Sequence, residues 1–272
     1  MVIFFNKKLN FRKPNQLSIM LGHIVFLASL GFIFGAPQAD KVAQRIKNGN
    51  NTTDPSVLLL KQSPSICTGT LISPEIILTA AHCFRHEKQR TTVIYGCSEL
   101  DSDECEEVEV ISYITHPEYV DPNMVGTGVI FNDIAVGKLA RPIDNVVPKS
   151  LANPDQDDPP RGMVTLKGWG KTELGKPANV LQTISLPISE SGDLDCYKSE
   201  EKILVEQMHG FDGIATGDSG GPLLIGDTVF GVASSVLYWS PYGQVEEYGV
   251  YMSVQYYFKF IKDSMDKLQR HK

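Results

Sequence analysis

The sequence predicts an all-β protein in two halves followed by one helix, on three observations. After residue 45, short runs rich in β-branched and aromatic residues alternate with turn residues, which is typical of a β-barrel or a β-sandwich. A polar, proline-rich stretch at 153–160 separates two sets of such runs. The segment after residue 253, in contrast, repeats its apolar residues at helical spacing.

Each half contains four predicted strands. In the first half they are 56–61, 91–95, 108–114 and 134–139, and in the second half they are 163–166, 180–186, 222–225 and 229–233. The C-terminal helix is predicted from 254 to about 268, because six apolar residues would share one of its faces: Val254, Tyr257, Phe258, Ile261, Met265 and Leu268.

The overall composition suits a compact globular protein, with 42% hydrophobic and 21% charged residues among 272. The formal net charge at pH 7 is −7, and residues 1–39 hold four basic residues and no acidic one. The remaining chain is therefore strongly acidic. This charge argues against nucleic acid or an anionic membrane surface as a partner.

The N-terminal segment has the pattern of a secretory signal. A basic stretch is followed by an apolar one at 17–34, interrupted by His23, and then by small residues ending at Ala39. We therefore predict a signal peptide over 1–39, with Met20 as an alternative start, and a secreted, extracellular protein without membrane attachment after signal removal. An uncleaved signal anchor is the alternative.

Five cysteines fit an oxidising compartment, and their odd number leaves at least one without an intrachain partner. Cys67 and Cys83 flank an apolar stretch, and Cys97 and Cys105 bracket an acidic, hairpin-like loop. We therefore predict disulfides 67–83 and 97–105 and leave Cys196 unassigned, although sequence alone does not fix the connectivity.

Three short segments carry residues suited to nucleophilic catalysis. A serine hydroxyl is too weakly acidic to attack an amide unaided, so an imidazole must take its proton and a buried carboxylate must hold the imidazole. Ser219, His82 and Asp133 would supply these three roles. They stand in the segments Gly217-Asp218-Ser219-Gly220-Gly221-Pro222, Thr79-Ala80-Ala81-His82-Cys83 and Asn132-Asp133-Ile134-Ala135.

These motifs and their order resemble the chymotrypsin/trypsin family of serine proteases, and the resemblance extends over roughly residues 46–268. It implies two antiparallel six-stranded β-barrels with the active site between them and a C-terminal α-helix. Three further segments share the resemblance: Cys67-Thr68-Gly69-Thr70-Leu71-Ile72-Ser73-Pro74, Lys138-Leu139-Ala140-Arg141-Pro142-Ile143 and Gly168-Trp169-Gly170.

The resemblance also implies how the chain is divided. The N-terminal barrel would contain His82 and Asp133, and the C-terminal barrel would contain Ser219. The segments are a propeptide at 40–45, the N-terminal barrel at 46–150, an interdomain connection at 151–161, the C-terminal barrel at 162–253, and the helix and tail at 254–272.

By the same resemblance, Ser219 is the nucleophile, His82 the general base and then acid, and Asp133 the residue that orients His82. The amide N–H groups of Gly217 and Ser219 would form the oxyanion hole. Ser234 would support the triad by hydrogen bonding to the buried aspartate.

The family further implies synthesis as a zymogen. An activating protease would cleave after Arg45, and the new Ile46 ammonium would enter the interior and pair with Asp218. That pairing would complete the oxyanion hole, so the uncleaved protein would be inactive.

The resemblance assigns five residues to the primary specificity pocket: Gly213, Ile214, Ser235, Val236 and Gly249. Where trypsins keep an aspartate for Lys or Arg, this chain has Gly213, and Val236 stands where the family usually has glycine. An unpaired cationic side chain buried there would be costly, so small or medium apolar side chains are expected. Asp212 would reach the pocket floor only if its loop were displaced.

Two other enzyme classes fit the motifs less well. The segment around Ser219 also satisfies the nucleophile-elbow pattern of α/β-hydrolases, but that fold needs its histidine after the serine, and only His271 follows. A metal enzyme using His82, Cys83 and His86 lacks the glutamate of the H-E-x-x-H motif. We expect no metal and no organic cofactor, with calcium at the acidic loop 99–109 as an alternative.

The non-enzyme alternative is a pseudoprotease that binds partners through the same scaffold. The altered pocket favours it, while the presence of Ser219, His82 and Asp133 favours an enzyme. The expected partners are therefore protein or peptide substrates and the activating protease, and the expected state is a monomer.

Overall fold

The computed structural model of this 272-residue chain describes residues 2–4, 46, 49–86, 89–97, 99–120, 130–170, 178–190, 199–207, 213–240 and 245–270. Several sequence predictions lie outside the described residues: most of the signal peptide, the propeptide 40–45 with Arg45, and the residues Cys196 and Asp212.

Two short strands precede the first barrel: β1 (Val2–Phe4) and β2 (Asn50–Asn51). The barrel itself is closed and contains six strands in the order β3-β4-β5-β8-β7-β6. They are β3 (Val57–Gln62), β4 (Ser65–Ser73), β5 (Ile76–Thr79), β6 (Thr92–Tyr95), β7 (Glu106–Thr115) and β8 (Ala135–Leu139). All its neighbouring strands are antiparallel, and its interior is filled by Leu, Ile and Val side chains.

A second sheet follows, with its long antiparallel strands in the order β12-β15-β14-β13-β10-β11 and with β2 beside β11. These strands are β10 (Met163–Gly168), β11 (Gln182–Pro187), β12 (Lys202–Gln207), β13 (Pro222–Ile225), β14 (Thr228–Trp239) and β15 (Glu246–Ser253), preceded by the short β9 (Ser150–Leu151). An isolated bridge between Ile188 and Val205 joins the two ends of this order. The predicted all-β fold with two six-stranded barrels is confirmed.

Two short strands pair with β14 on opposite edges, β9 on the edge that β15 also uses and β1 on the edge that β13 also uses. β9 pairs in parallel at Thr228 and Val229. β1 pairs in parallel at Val236, Leu237 and Tyr238, on the strand segment that follows Ser234 and Ser235. The backbone of β14 can therefore accept an added strand beside residues 236–238.

The helix α1 (Phe258–Arg270) ends the described chain and packs against β8 and β7. Its buried face includes Ile261 and Leu268, and Lys138 Nζ of β8 donates to the Leu268 carbonyl at 2.9 Å. The helix begins four residues later than the periodicity predicts, because residues 254–257 form a turn. In the described part of the chain, no helix has the length and hydropathy needed to cross a membrane.

The two barrels are joined by specific polar contacts. Trp169 directly follows β10, and its indole N–H donates to the Val57 carbonyl of β3 at 3.1 Å. The side chain of Asp54 is 6% exposed; its carboxylate accepts from Lys167 Nζ at 2.6 Å and lies 3.0 Å from Lys149 Nζ. Two lysines on one buried carboxylate hold the pKa of Asp54 below its ordinary value, although burial alone would raise it. These contacts fix the groove between the barrels.

Candidate active site

His82 is positioned by a single 3₁₀ turn, Ala81–Phe84, that directly follows β5. The disulfide between Cys67 of β4 and Cys83 attaches this turn to the barrel, as predicted. Closing a loop of 16 residues contributes about 3 kcal/mol in the chain-entropy account. The imidazole is therefore presented by a short, covalently anchored segment.

Asp133 lies just before β8 and is completely buried. The preceding Asn132 adopts φ 54°, a left-handed conformation that asparagine tolerates, and Tyr257 Oη donates to its side-chain oxygen at 2.9 Å. The Asp133 carboxylate accepts from the His82 backbone N–H at 2.9 Å through Oδ1 and from His82 Nδ1 at 2.7 Å through Oδ2. Because an ionised carboxylate only accepts, the proton must be on Nδ1, which leaves Nε2 free to accept.

Ser234 completes the environment of this carboxylate. The pairing of β14 with β15 shifts register between Ala233 and Ser235, so Ser234 is set apart from the ladder. Its hydroxyl donates to Asp133 Oδ2 at 2.6 Å. Burial opposes ionisation of Asp133, but electrostatic attraction to the His82 ring and these hydrogen bonds outweigh it, so the pKa of Asp133 lies below its ordinary 3.8.

Ser219 lies at a tight turn between β12 and β13 that two glycines make possible. Gly217 has φ 104° and Gly220 has φ 82°, both in the region that side chains disfavour. A Cβ at Gly220 would overlap Thr79 Oγ1 and the Thr68 carbonyl oxygen. Among the hydrogen bonds of the described residues, none is donated by the Gly217 or Ser219 amide.

Thr68 of β4 holds this turn from the first barrel, and sequence reasoning missed it. Its completely buried hydroxyl donates to the Gly217 carbonyl at 2.9 Å and accepts from the backbone N–H of Trp169 at 3.1 Å. Its own N–H donates to the Ser219 carbonyl at 2.8 Å. Thr68 lies within one of the motifs that resemble the family, but a sequence motif does not indicate a contact between residues 149 positions apart.

A cavity of about 460 Å³ is lined by residues of both barrels. His82 and Ser219 both line it, together with Ser234, and Arg85 and His86 extend its first-barrel side. The structure therefore brings the three predicted catalytic side chains together: His82 contacts Asp133, and His82 and Ser219 border one cavity.

The five residues assigned to the specificity pocket are only partly on this cavity. Ile214, Ser235 and Val236 line it. Gly213 and Gly249 are not among its lining residues. The side chain of Gln207 lies against both glycines instead, in the space that a deep pocket would use.

Asp218, next to Ser219, is 2% exposed and accepts from the Gly170 and Ala215 amides at 2.7 and 2.9 Å. None of the ion pairs among the described residues involves it. Burial raises the pKa of Asp218 to about 7, and the two amide contacts offset only part of this effect. Ile46 is buried too, with its carbonyl accepting from the Gly49 amide at 3.0 Å.

This carboxyl gives the uncleaved protein a specific pH dependence. An unfolded aspartate titrates near 3.8 and folded Asp218 near 7, so within this window the folded state holds a proton that the unfolded state has lost. Stability must then fall as pH rises from about 4 to 7. We expect the free energy of unfolding of wild type, relative to Asp218→Asn, to drop by up to roughly 4 kcal/mol across this window.

Urea unfolding at pH 4.5 and 7.5 measures this difference. Asp158→Asn removes an exposed carboxyl and serves as the control. A wild-type minus Asp218→Asn difference that stays constant between the two pH values would contradict the prediction.

A family model described as Trypsin matches residues 46–261. The chain belongs to the trypsin family. Kallikrein-7 from Homo sapiens is 28% identical over 92% of this chain and 98% of that protein. Cathepsin G from Mus musculus is 30% identical over 76% of this chain and 78% of its own length.

A solved structure agrees with this assignment. Neuropsin, a serine protease expressed in the limbic system of mouse brain, superimposes with a TM-score of 0.65 at 29% identity, covering 80% of this chain and 99% of that one. As a member of the trypsin family, the protein is a serine-type endopeptidase that acts on protein or peptide substrates. Enzymes of this family hydrolyse peptide bonds without a cofactor.

The sulfur atoms near His82 are engaged with each other in a disulfide. Among the described residues, one group of side chains lies close enough to hold an ion, Cys67, His82 and Cys83, and it includes these two sulfurs. The predicted Cys97–Cys105 disulfide is also formed.

The acidic loop Glu99–Glu109, considered for calcium, has two of its carboxylates beside arginines. Glu106 lies 2.9 Å from Arg141, and Glu109 lies 3.1 Å from Arg90. A solvated, arginine-paired loop accounts for these two acidic side chains without an ion.

Proposed function

We propose that this trypsin-family enzyme is a secreted zymogen that hydrolyses peptide bonds through an acyl-enzyme on Ser219. One observation supports this most directly: the buried Asp133 carboxylate binds His82 through both backbone and ring, and His82 borders the same cavity as Ser219. A packed core histidine would need neither the second carboxylate contact nor the cavity.

In the proposed acylation step, His82 Nε2 takes the proton of Ser219 Oγ as the oxygen attacks the peptide carbonyl. Asp133 stabilises the imidazolium, and the Gly217 and Ser219 amides receive the developing oxyanion. The imidazolium then protonates the leaving amine as the C–N bond breaks. Water then attacks the ester carbonyl as His82 Nε2 takes its proton, and the imidazolium returns that proton to Ser219 Oγ as the acyl C–O bond breaks.

The substrate backbone would pair with the free edge of β14 near Val236. Strand β1 pairs with this same edge at residues 236–238, which supports the ability of the edge to accept a peptide. Removal of the predicted signal peptide 1–39 would also remove β1, so the edge would be open in the mature enzyme.

Activation is proposed to follow cleavage after Arg45 by another protease. The support is Asp218: a completely buried carboxyl with amide donors and, among the described residues, no cationic partner. The Ile46 ammonium created by cleavage would supply that charge. We further propose that the mature protein is an extracellular monomer.

For specificity, we propose that the enzyme prefers substrates with a small or medium apolar side chain at the residue that contains the scissile carbonyl group. Ile214 and Val236 narrow the cavity next to Ser219, and Gly213 provides no charge for Lys or Arg. A buried cation there would lack a partner.

Fluorophosphonate labelling tests the proposed chemistry. After cleavage at Arg45 has been verified by N-terminal sequencing, we expect the reagent to modify Ser219, since its hydroxyl is activated by His82. Both His82→Ala and Ser219→Ala should abolish labelling, whereas Ser185→Ala, at a serine on the exposed part of β11, should leave it unchanged.

The pseudoprotease alternative predicts a different outcome. Correctly cleaved, folded wild-type protein that shows no labelling at Ser219 would favour a binding role and contradict the proposal.

A further inference from the structure

The last residue of β12, Gln207, is buried beneath the active-site turn. It is 8% exposed, and its strand lies beside β15, which carries Gly249. A Cβ added at Gly213 would overlap the Gln207 side chain, with Cγ at 2.7 Å, and one added at Gly249 would lie 2.5 Å from the side-chain amide. Gln207 therefore occupies the space that the absent side chains of both glycines leave open.

Hydrogen bonds hold the Gln207 amide in this position. With its oxygen turned toward the backbone, it accepts from the Ile214 N–H at 3.1 Å and from the Gly249 N–H at 3.2 Å. The opposite orientation would place the NH₂ group against two donors, so the hydrogen-bond pattern assigns this one. One side chain thus bridges the loop before Ser219 and strand β15.

Little of the Gln207 side chain is exposed to solvent, and Tyr251 lies near it. Tyr251 packs beside Gly249, and its hydroxyl is buried without a hydrogen-bond partner among the described residues. The cavity that contains Ser219 is lined by Ile214 and Val236 and does not extend to Gly213 or Gly249. The Gln207 side chain lies against both of these glycines and hydrogen-bonds to the Ile214 backbone.

We propose that Gln207 forms the floor of the primary specificity pocket and restricts the enzyme to peptides with a small side chain, of alanine to valine size, at the residue before the scissile bond. This inference rests on the proposed function and makes it narrower. The pocket would not be deep enough for a large aromatic or a long aliphatic side chain of the substrate. Gln207 is a positioning and size-limiting residue, not one that touches the reacting atoms.

Peptides that differ only at this residue, as Ala, Val, Leu or Phe, provide the test. We expect Gln207→Ala to raise kcat/KM for Phe relative to Ala at least tenfold, since single methylene differences in such pockets are worth about 10–200-fold. Gln207→Met keeps the volume of the side chain and should leave this ratio within threefold of that of the enzyme with Gln207 in the same background. Each variant is measured in the wild-type and Val236→Gly backgrounds, because Val236 also narrows the pocket.

The outcomes separate this inference from the proposed function. Suppose that Gln207→Ala protein cleaves peptides and that a separate sample reacts with the fluorophosphonate. An unchanged ratio of kcat/KM for Phe to that for Ala in both backgrounds would then overturn the role of Gln207 alone. Absence of turnover and labelling in cleaved wild type would overturn both. If Gln207→Ala does not fold, Gln207→Asn decides: it keeps the amide, shortens the side chain by one methylene and should give a smaller increase for Leu and Phe.

Discussion

Replacing Asp133 by asparagine should lower the turnover of the cleaved enzyme on the order of 10⁴-fold, the magnitude known for this exchange in a Ser–His–Asp triad. The structure explains why. Oδ1 faces the His82 backbone N–H and must remain an acceptor, so the asparagine NH₂ would take the position of Oδ2. There it would donate to His82 Nδ1 and force the ring proton onto Nε2, which could no longer accept from Ser219.

Ser234 is compatible with this orientation, because its hydroxyl can accept as well as donate. The fold should therefore survive, and the defect should appear in kcat with little change in KM. Steady-state kinetics on a peptide amide, with circular dichroism of the same samples, measures both.

The matched control is Ser234→Ala, which removes one hydrogen bond from Asp133 but leaves the tautomer of His82 intact. Its loss of turnover should be much smaller than that of Asp133→Asn. An Asp133→Asn enzyme within tenfold of wild type would show that the contacts of this carboxylate do not orient the base.

The fold was largely predictable because its strands carry local signals. Runs rich in β-branched and aromatic residues, separated by turn residues, indicated eight strands. The resemblance supplied the closure of the sheets, which depends on long-range pairings such as that between β3 and β6. The helix was placed early because Val254 and Tyr257 are buried in the turn before it. The spacing of apolar residues indicates which side chains are buried, but it does not indicate which backbone groups form helical hydrogen bonds.

The catalytic side chains were predictable because their motifs are specific, whereas their supports were not. Thr68 and Gln207 are ordinary polar residues in strands, and each acts through a partner far away in sequence. The pocket illustrates the difference: the family resemblance assigned Gly213 and Gly249 to it, but the Gln207 side chain lies against both glycines. Sequence identifies which positions lack a side chain and does not show what fills the space.

Preventing cleavage with Arg45→Gln should reduce activity of the secreted protein to the level of Ser219→Ala. The physical reason lies at Asp218, whose buried carboxyl has two amide donors and, among the described residues, no countercharge. Burial raises its pKa to about 7, so without a cation the ionised form is disfavoured. The Ile46 nitrogen carries no charge while it remains in a peptide bond, and only cleavage supplies the ammonium that would hold Asp218 and the adjacent Gly217 turn.

Two further variants separate cleavage from ion pairing. Arg45→Lys preserves a basic cleavage site and should keep the activity, which rules out a structural role of the arginine itself. Asp218→Asn should be cleaved normally, as N-terminal sequencing from Ile46 would show, but should remain inactive because asparagine does not provide the negative charge for the new ammonium. Full activity of uncleaved Arg45→Gln protein, or of cleaved Asp218→Asn protein, would refute this switch, since either would mean that the oxyanion-binding turn forms without the ion pair.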